Sequence, residues 1–232
     1  METITGGFYQ AFHLLLSFDP GLYSVVLLSL KVSFIAVATA SALGIPAGAF
    51  CALRRFPGRG LAVALLNTFM GLPPVVAGLF VYLFLSRSGP LGFLSLLFSP
   101  TAMVIAQTVI VFPIVAALTW AAVSSVPAAV RDTAVTLGAR RWQVDWRVVC
   151  EARLGVFSAV IAGLGRAMAE VGAVMMVGGN IAGYTRVMTT AIVLETGEGY
   201  FDRAIALGVV LILVAFVINA LLRLFQGRGG LA

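Results

Sequence analysis

The sequence predicts an all-α integral membrane protein with about five transmembrane helices, an N-terminal interfacial helix and one long arginine-rich loop. Of its 232 residues, 61% are hydrophobic and only 10% are charged. The mean hydropathy of +1.07 is typical of membrane proteins. Several stretches approach the roughly 20 apolar residues that a helix needs to cross a bilayer. Five spans leave no room for a soluble domain, so we expect a single transmembrane domain over residues 1–232.

The first 22 residues predict a short helix that lies in the membrane interface. The run Phe8–Phe18 is too short to span a bilayer, and no basic region precedes it, so we do not expect a cleaved signal peptide. One helical face carries its apolar residues, Phe8, Phe12, Leu15 and Leu16. A helix packed on neighbouring spans is the alternative. His13 has no second metal-ligand residue at a useful spacing, so no metal site is predicted.

Five apolar stretches are predicted to span the membrane. In order they are Tyr23–Leu53, Leu61–Ser86, Thr101–Val123, Val156–Val177 and Ile205–Leu222. Proline lacks a backbone N–H and clashes with the preceding turn, so we expect bends at the four prolines inside these stretches. They are Pro46, Pro73, Pro74 and Pro113.

The positive charge predicts the orientation of the chain. Ten of the 15 basic residues fall in three segments that follow spans one, three and five. The positive-inside rule is satisfied if these segments are cytoplasmic, which places the N-terminus outside and the C-terminus in the cytoplasm. The net charge of +6 is therefore an orientation signal, and we do not predict a nucleic-acid partner. Cys51 and Cys150 give neither a disulfide framework nor a zinc spacing.

The segment 124–152, between spans three and four, is polar and rich in arginine, and we call it the arginine-rich segment. Its spacing predicts two short helices, the first capped by Ser125 and ended by Gly138, since glycine accepts a left-handed conformation. The second helix is predicted from about Arg140 to Cys150, with Trp142 and Trp146 one turn apart. Two interfacial anchor helices are the alternative interpretation of this pattern.

A motif within this segment resembles the cytoplasmic loop of the membrane subunits of ATP-binding cassette (ABC) importers. That loop reads E-A-A, three residues, G, nine residues, then I-x-L-P. Here Asp132-Thr133-Ala134 is followed at the same spacings by Gly138 and Val148. Asp replaces Glu and Thr replaces the first Ala, and the closing Leu and Pro are missing.

The flanking sequence is similar to permeases for tungstate and molybdate over nearly the whole chain. The stretches that carry this resemblance are GLPPVVAGLFVYLFLSRSGPLG (71–92) and GRAMAEVGAVMMVGGNIAGYTR (165–186). MMVGGNI followed by TTAIVLET (189–196) resembles the tungstate branch more than the molybdate branch. The fold that this resemblance implies is the MetI-like permease fold.

The resemblance implies a set of partners and a coupling role. It implies a homodimer of this subunit, two ABC ATPase subunits on its cytoplasmic face and an extracytoplasmic oxyanion-binding protein. The coupling residues would be Arg131, Asp132, Thr133, Ala134, Gly138, Arg140 and Arg141. The chain carries no Walker A pattern and no catalytic constellation. We therefore expect a non-catalytic subunit without its own cofactor, with ATP and Mg²⁺ bound by the partner ATPase.

Residues in and after span four are candidates for the translocation pathway. Arg166 and Glu170 are charges within an apolar stretch, which makes them functional candidates. Their i, i+4 spacing is equally typical of a buried pair that locks this span, and we favour that interpretation. The further candidates for a pathway or gate are Gly178, Gly179, Asn180, Thr185 and Arg186.

Two alternatives remain open from the sequence. The first is a molybdate or sulfate ABC permease of the same class. A secondary transporter or channel would use Arg166 and Glu170 as an ion relay, but it would have no need of a coupling motif.

Overall fold

A computed structural model describes residues 20–229, with side chains up to residue 220. Within these residues the chain forms ten α-helices, one short 3₁₀ turn (Gly92–Leu94) and no strand, which confirms the predicted fold class. The helices are α1 Pro20–Leu53, α2 Arg59–Met70, α3 Pro74–Leu85, α4 Pro100–Ser124, α5 Ala128–Thr136, α6 Arg141–Glu151, α7 Arg153–Met168, α8 Gly172–Gly178, α9 Met188–Gly197 and α10 Phe201–Gly229. The interfacial helix predicted in residues 1–22 lies outside the described part, except that residues 20–22 begin α1.

Three helices are long and apolar enough to cross a membrane on their own. They are α1, α4 and the part of α10 up to Ala220, and they match the first, third and fifth predicted spans. Pro46 and Pro113 lie inside α1 and α4 without ending them. Two bent helix pairs raise the number of spans to as many as five.

The second predicted span, Leu61–Ser86, is broken at its two prolines, which confirms the interruption expected there. It consists of α2 and α3, which are bent by 104° at the break between Met70 and Pro74. Pro73 lies in extended conformation before α3, and Pro74 occupies its first turn. Two successive prolines donate no backbone hydrogen bonds, so α2 cannot continue through them, while a proline is well tolerated at the start of the next helix.

The fourth predicted span, Val156–Val177, is also interrupted. Helix α7 begins at Arg153 and ends at Met168, and the short α8 begins at Gly172. The bent pair that could form one span is instead α6 with α7, which meet at 60°. Hydropathy alone did not reveal the break after Met168, because the interrupting residues stay mostly apolar.

The chain divides into two compact units. Among the described residues, unit one comprises 20–36, 73–107 and 165–229, and unit two comprises 37–72 and 108–164. In unit one, α3 packs on α8 and α9 packs on α10. Gly78 allows the first contact, since a Cβ atom there would lie 2.6 Å from the Cα of Ala173. A buried cluster joins α1, α9 and α10 through Leu22, Met188 and Val210.

Unit two holds the arginine-rich segment. Its core joins Ala49 of α1, Val123 of α4, Val148 of α6 and Ala152. The backbones of α1 and α4 approach closely at Gly48, where a Cβ atom would lie 2.2 Å from the carbonyl oxygen of Ala116. Small residues at such contacts are typical of helices that pack within a membrane.

Large apolar side chains are exposed on several helices. On α3 they include Val75, Leu79, Phe80, Leu83 and Phe84. In water, an apolar surface of this kind would cause the protein to aggregate. In a membrane, lipid chains or neighbouring helices cover it. The pattern agrees with a multi-pass membrane protein.

The contact at Gly48 predicts a stability effect. Gly48→Ala forces α1 and α4 apart, because the added methyl group meets backbone and not a flexible side chain, at a cost of about 1–3 kcal/mol. The midpoint of thermal unfolding in detergent should fall. Gly208→Ala is the matched control, because that helical glycine has no atom within 4 Å of an added Cβ and the change should raise stability by about 0.5–1 kcal/mol. Equal midpoints for the two variants would contradict the close approach.

Candidate functional site

The first helix of the arginine-rich segment, α5, is a solvent-facing element without a buried residue. Its N-terminal cap is Pro127, so the expectation that Ser125 caps it is wrong. The hydroxyl of Ser125 instead donates a hydrogen bond to the carbonyl oxygen of Ala122, at 2.9 Å. Ser125 therefore caps the C-terminal end of α4. Pro127, whose ring fixes its φ angle, is the residue that precedes the first turn of α5.

Gly138 makes the turn between α5 and α6 as the sequence predicts. Its φ is +75°, a left-handed conformation that costs residues with a Cβ atom about 1–2 kcal/mol. The N–H of Ala139 donates to the carbonyl oxygen of Ala134 at 3.0 Å, which satisfies the end of α5. Helix α6 then begins at Arg141, and the N–H of Arg140 donates to Gln143 Oε1 at 2.7 Å.

Helix α6 is fixed to unit two by apolar and ionic contacts. Val144 and Val148 are buried, one turn apart. On the next face, Asp145 Oδ2 lies 2.6 Å from Arg54 Nη2, in a pair whose side chains are 16% and 36% exposed. Arg54 follows the last residue of α1, so this pair ties α6 to the end of α1. Sequence reasoning missed it, because no local pattern links residues 91 positions apart.

The residues predicted to couple to an ATPase lie on the surface. Arg131, Asp132, Thr133, Gly138, Arg140 and Arg141 are exposed, and Ala134 is half-buried. Leu137 beside them is 81% exposed. Within residues 20–220, Asp132 forms no ion pair. One side of the segment is a mostly apolar groove of about 530 Å³, lined by Ala129, Val130, Thr133, Ala134, Leu137, Ala139, Gln143 and Arg147.

The structure brings Arg166 and Glu170 together, in unit one. Arg166 Nη2 lies 3.5 Å from Glu170 Oε2, and the side chains are 33% and 2% exposed. Glu170 is not on the same helix, however, because it lies in the break between α7 and α8. Its Oε1 accepts a hydrogen bond from the N–H of Ala173 at 3.0 Å, which satisfies a donor at the start of α8. The carboxylate is thus both an ion-pair partner and a helix cap.

Other polar groups complete this buried cluster. Gln107 Nε2 donates to the carbonyl oxygen of Ala167 at 3.1 Å, and Thr189 Oγ1 donates to the carbonyl oxygen of Glu170 at 2.8 Å. The cluster therefore links α4, the end of α7 and α9. Sequence reasoning missed Gln107, although a glutamine inside an apolar span is a usable signal. Thr189 was predicted as a donor for the anion or the binding protein, and in the structure its hydroxyl bonds to the backbone.

The remaining candidates form the loop between α8 and α9. Gly179 and Asn180 both have positive φ angles, of 72° and 50°. The hydroxyl of the buried Thr185 donates to the carbonyl oxygen of Gly178 at 2.6 Å and accepts from the N–H of Ile181 at 2.9 Å. Thr185 therefore closes the loop, and its only hydroxyl proton is not available to an anion in this conformation.

Arg186 is the candidate of this loop that lines a cavity. It is half-buried, and it shares a cavity of about 560 Å³ with Glu195 and Arg203. Its Nε has no hydrogen-bond partner among the described residues. Within the same residues, no group of three or more His, Cys, Asp or Glu side chains is arranged to hold a metal ion.

Comparisons with known proteins agree with this architecture. The family model for the binding-protein-dependent transport system inner membrane component matches residues 44–228. The chain is 43% identical to the tungstate uptake system permease protein TupB of Peptoclostridium acidaminophilum, over 97% of this chain and 99% of that protein. It is 34% identical to TupB of Campylobacter jejuni, over 94% and 92% of the two chains.

Solved structures show the same fold. An inward-facing conformation of the MetNI methionine ABC transporter superposes with a TM-score of 0.72 at 18% identity, over 93% of this chain and 97% of that chain. An amino acid ABC transporter superposes with a TM-score of 0.63, over 94% and 98%. With the family match over residues 44–228, these findings establish that the chain belongs to the inner membrane components of binding-protein-dependent transport systems, the permease subunits of ABC transporters.

Proposed function

We propose that this chain is the membrane subunit of an ATP-driven tungstate importer and forms its translocation pathway. The observation that carries this proposal is the 43% identity to a tungstate permease along practically the full length of both chains. A second tungstate permease, at 34% identity, supports it. The family likeness leaves the secondary transporter or channel without support.

Molybdate or sulfate is the second candidate substrate. The molybdenum permease ModB of Escherichia coli is 29% identical to this chain, and the sulfate permease CysW of Synechocystis is 30% identical. Both lie well below the tungstate permease of Peptoclostridium acidaminophilum. The three anions are tetrahedral and doubly charged, so likeness at this level supports the shared ligand chemistry more than the individual anion.

The proposed assembly contains two copies of this chain, two ABC ATPase subunits and a soluble oxyanion-binding protein. The family's dependence on a binding protein supports the last of these. The chain itself would hold no cofactor, and ATP with Mg²⁺ would bind to the ATPases. The clustered arginines support an orientation with the N-terminus outside and the arginine-rich segment and the C-terminus in the cytoplasm.

Coupling would begin at the exposed surface of α5. Arg131, Arg140 and Arg141 offer forked donors to acidic groups of the ATPase, and the small Ala134 and Gly138 allow its backbone to approach. ATP binding would draw the two ATPases together and displace α5 and α6. The buried Val144 and Val148 and the pair of Arg54 with Asp145 would pass that motion to α1 as a rigid-body shift.

The charged pair of unit one has a structural role in this proposal. Both oxygens of Glu170 are engaged, by Arg166 and by the N–H of Ala173, and the side chain is almost fully buried. A free carboxylate in the pathway would repel a dianion, whereas a paired one would not. Of the charged candidate pathway residues, Arg186 lines a cavity of about 560 Å³, whereas Glu170 lines one of only about 10 Å³.

Metal uptake tests the substrate. Cells with and without this subunit, supplied with tungstate and molybdate below 1 µM, should differ in cellular tungsten and not in molybdenum when both metals are measured by mass spectrometry. An equal loss of both metals would favour a general oxyanion permease. Unchanged contents of both would reject the proposed function.

The turn at Gly138 tests coupling. Gly138→Val places a β-branched side chain at a φ of +75° and should distort α5, so that tungstate uptake and ATPase docking fall while the protein still reaches the membrane. Gly138→Asn is the matched control, because asparagine tolerates the left-handed region and open space surrounds this position. Normal uptake by the Val variant at equal membrane levels would contradict the coupling role.

A double-mutant cycle tests the charged pair. Arg166→Met leaves the buried Glu170 without its counter-charge and should lower the free energy of unfolding by up to about 3 kcal/mol. Glu170→Gln in the Arg166→Met background should recover part of this loss, because the amide oxygen can still accept the N–H of Ala173. The midpoint of thermal unfolding is measured for the wild type, for each single variant (Arg166→Met and Glu170→Gln) and for the double variant. Strictly additive losses would show that the two side chains do not interact.

A further inference from the structure

Three arginines of unit two line one cavity beside the arginine-rich segment. Arg54 comes from the end of α1, Arg131 from α5 and Arg141 from the first turn of α6, and the cavity has a volume of about 280 Å³. It lies on a different face of the segment from the apolar groove, since the two cavities share only Ala139 among their lining residues. Three separate elements thus contribute an arginine to the lining of one cavity.

The charges around this cavity do not cancel. Asp145 is the acidic residue in its lining, and it is bound to Arg54 at 2.6 Å. Arg131 and Arg141 form no ion pair within residues 20–220. The lining therefore carries an excess of two positive charges.

The start of α6 adds to this positive field. Arg141 is the first residue of α6, and Val144 and Asp145 of its first turns also line the cavity. A helix N-terminus carries a partial positive charge. Guanidinium forks bind tetrahedral oxyanions through paired N–H donors, so both the charge and the donor geometry of the lining suit a small oxyanion.

We propose that Arg54, Arg131 and Arg141 form a binding site for a tetrahedral dianion such as tungstate, sulfate or hydrogen phosphate. A dianion balances the excess charge of the lining, whereas a lipid phosphodiester carries one negative charge. Bound there, it bridges the end of α1 to both helices of the arginine-rich segment. Dianion binding at this site does not depend on the proposed function, but tungstate as its natural ligand does. An ATPase docked as proposed would compete with the dianion for Arg131 and Arg141.

Equilibrium dialysis of the full chain in nanodiscs tests the site. In phosphatidylcholine nanodiscs, tungstate should bind saturably and be displaced by sulfate, while perchlorate, a tetrahedral monoanion, should displace it at least tenfold less well. The double variant R131Q/R141Q should bind tungstate at least tenfold more weakly, because it removes two charge-assisted contacts. Arg140→Gln is the matched control, since Arg140 is exposed but does not line the cavity, and its affinity should stay within twofold.

Several results would overturn the proposal. They are no saturable binding to the wild type, unchanged affinity in R131Q/R141Q, or equal displacement by perchlorate. The single variants R131Q and R141Q, each expected to weaken binding, serve if the double variant does not fold. Binding lost when phosphatidylglycerol enters the nanodisc would assign the cavity to lipid headgroups, and binding lost in the complex with the ATPase would assign the arginines to that partner. If uptake fails to depend on this chain while dianions still bind here, only the tungstate function is rejected.

Discussion

Every break in a membrane-embedded helix leaves backbone donors and acceptors that the bilayer cannot satisfy. This constraint explains the polar residues of unit one. The chain interrupts its fourth apolar stretch after Met168, and Glu170 then satisfies the N–H of Ala173 while its own carbonyl oxygen accepts from Thr189. Arg166 balances the charge that this solution introduces. Fifteen residues after Glu170, the hydroxyl of Thr185 closes the next loop in the same way, by bonding to the backbone of Gly178 and Ile181.

The sequence predicted those parts of the protein that depend on composition and local spacing. Continuous apolar runs fix α1, α4 and α10, and a glycine at the end of a helical pattern fixes the turn at Gly138. Helix breaks were predicted only where proline marks them, as at Pro73. The break before α8 depends on side-chain hydrogen bonds that form after folding, so no pattern of hydropathy contains it.

In the candidate site too, features with local spacing were predicted and contacts between distant parts of the chain were not. The residues proposed for coupling were identified from a motif, because its spacing is local, and in the structure most of them are exposed. The partners Arg54 and Asp145 were not found, since they come from elements far apart in the chain. The same holds for the cavity that collects Arg54, Arg131 and Arg141. Sequence reasoning treated Arg54 as part of an orientation signal and Arg131 and Arg141 as coupling residues, whereas the fold gathers all three around one cavity.

The pair of Arg54 with Asp145 also has a consequence for how the protein is made. A loop of about ninety residues must close before it forms, and closure of so long a loop carries a large entropic cost. During synthesis α1 enters the membrane long before α6 leaves the ribosome, so Arg54 at the end of α1 has no Asp145 to pair with during this interval. The arginine-rich segment can take its final position only when α4 is also in place, since Val123 and Val148 share one core. A correctly placed segment therefore indicates that unit two has assembled, and an ATPase that recognises it would bind finished permeases in preference to incomplete ones.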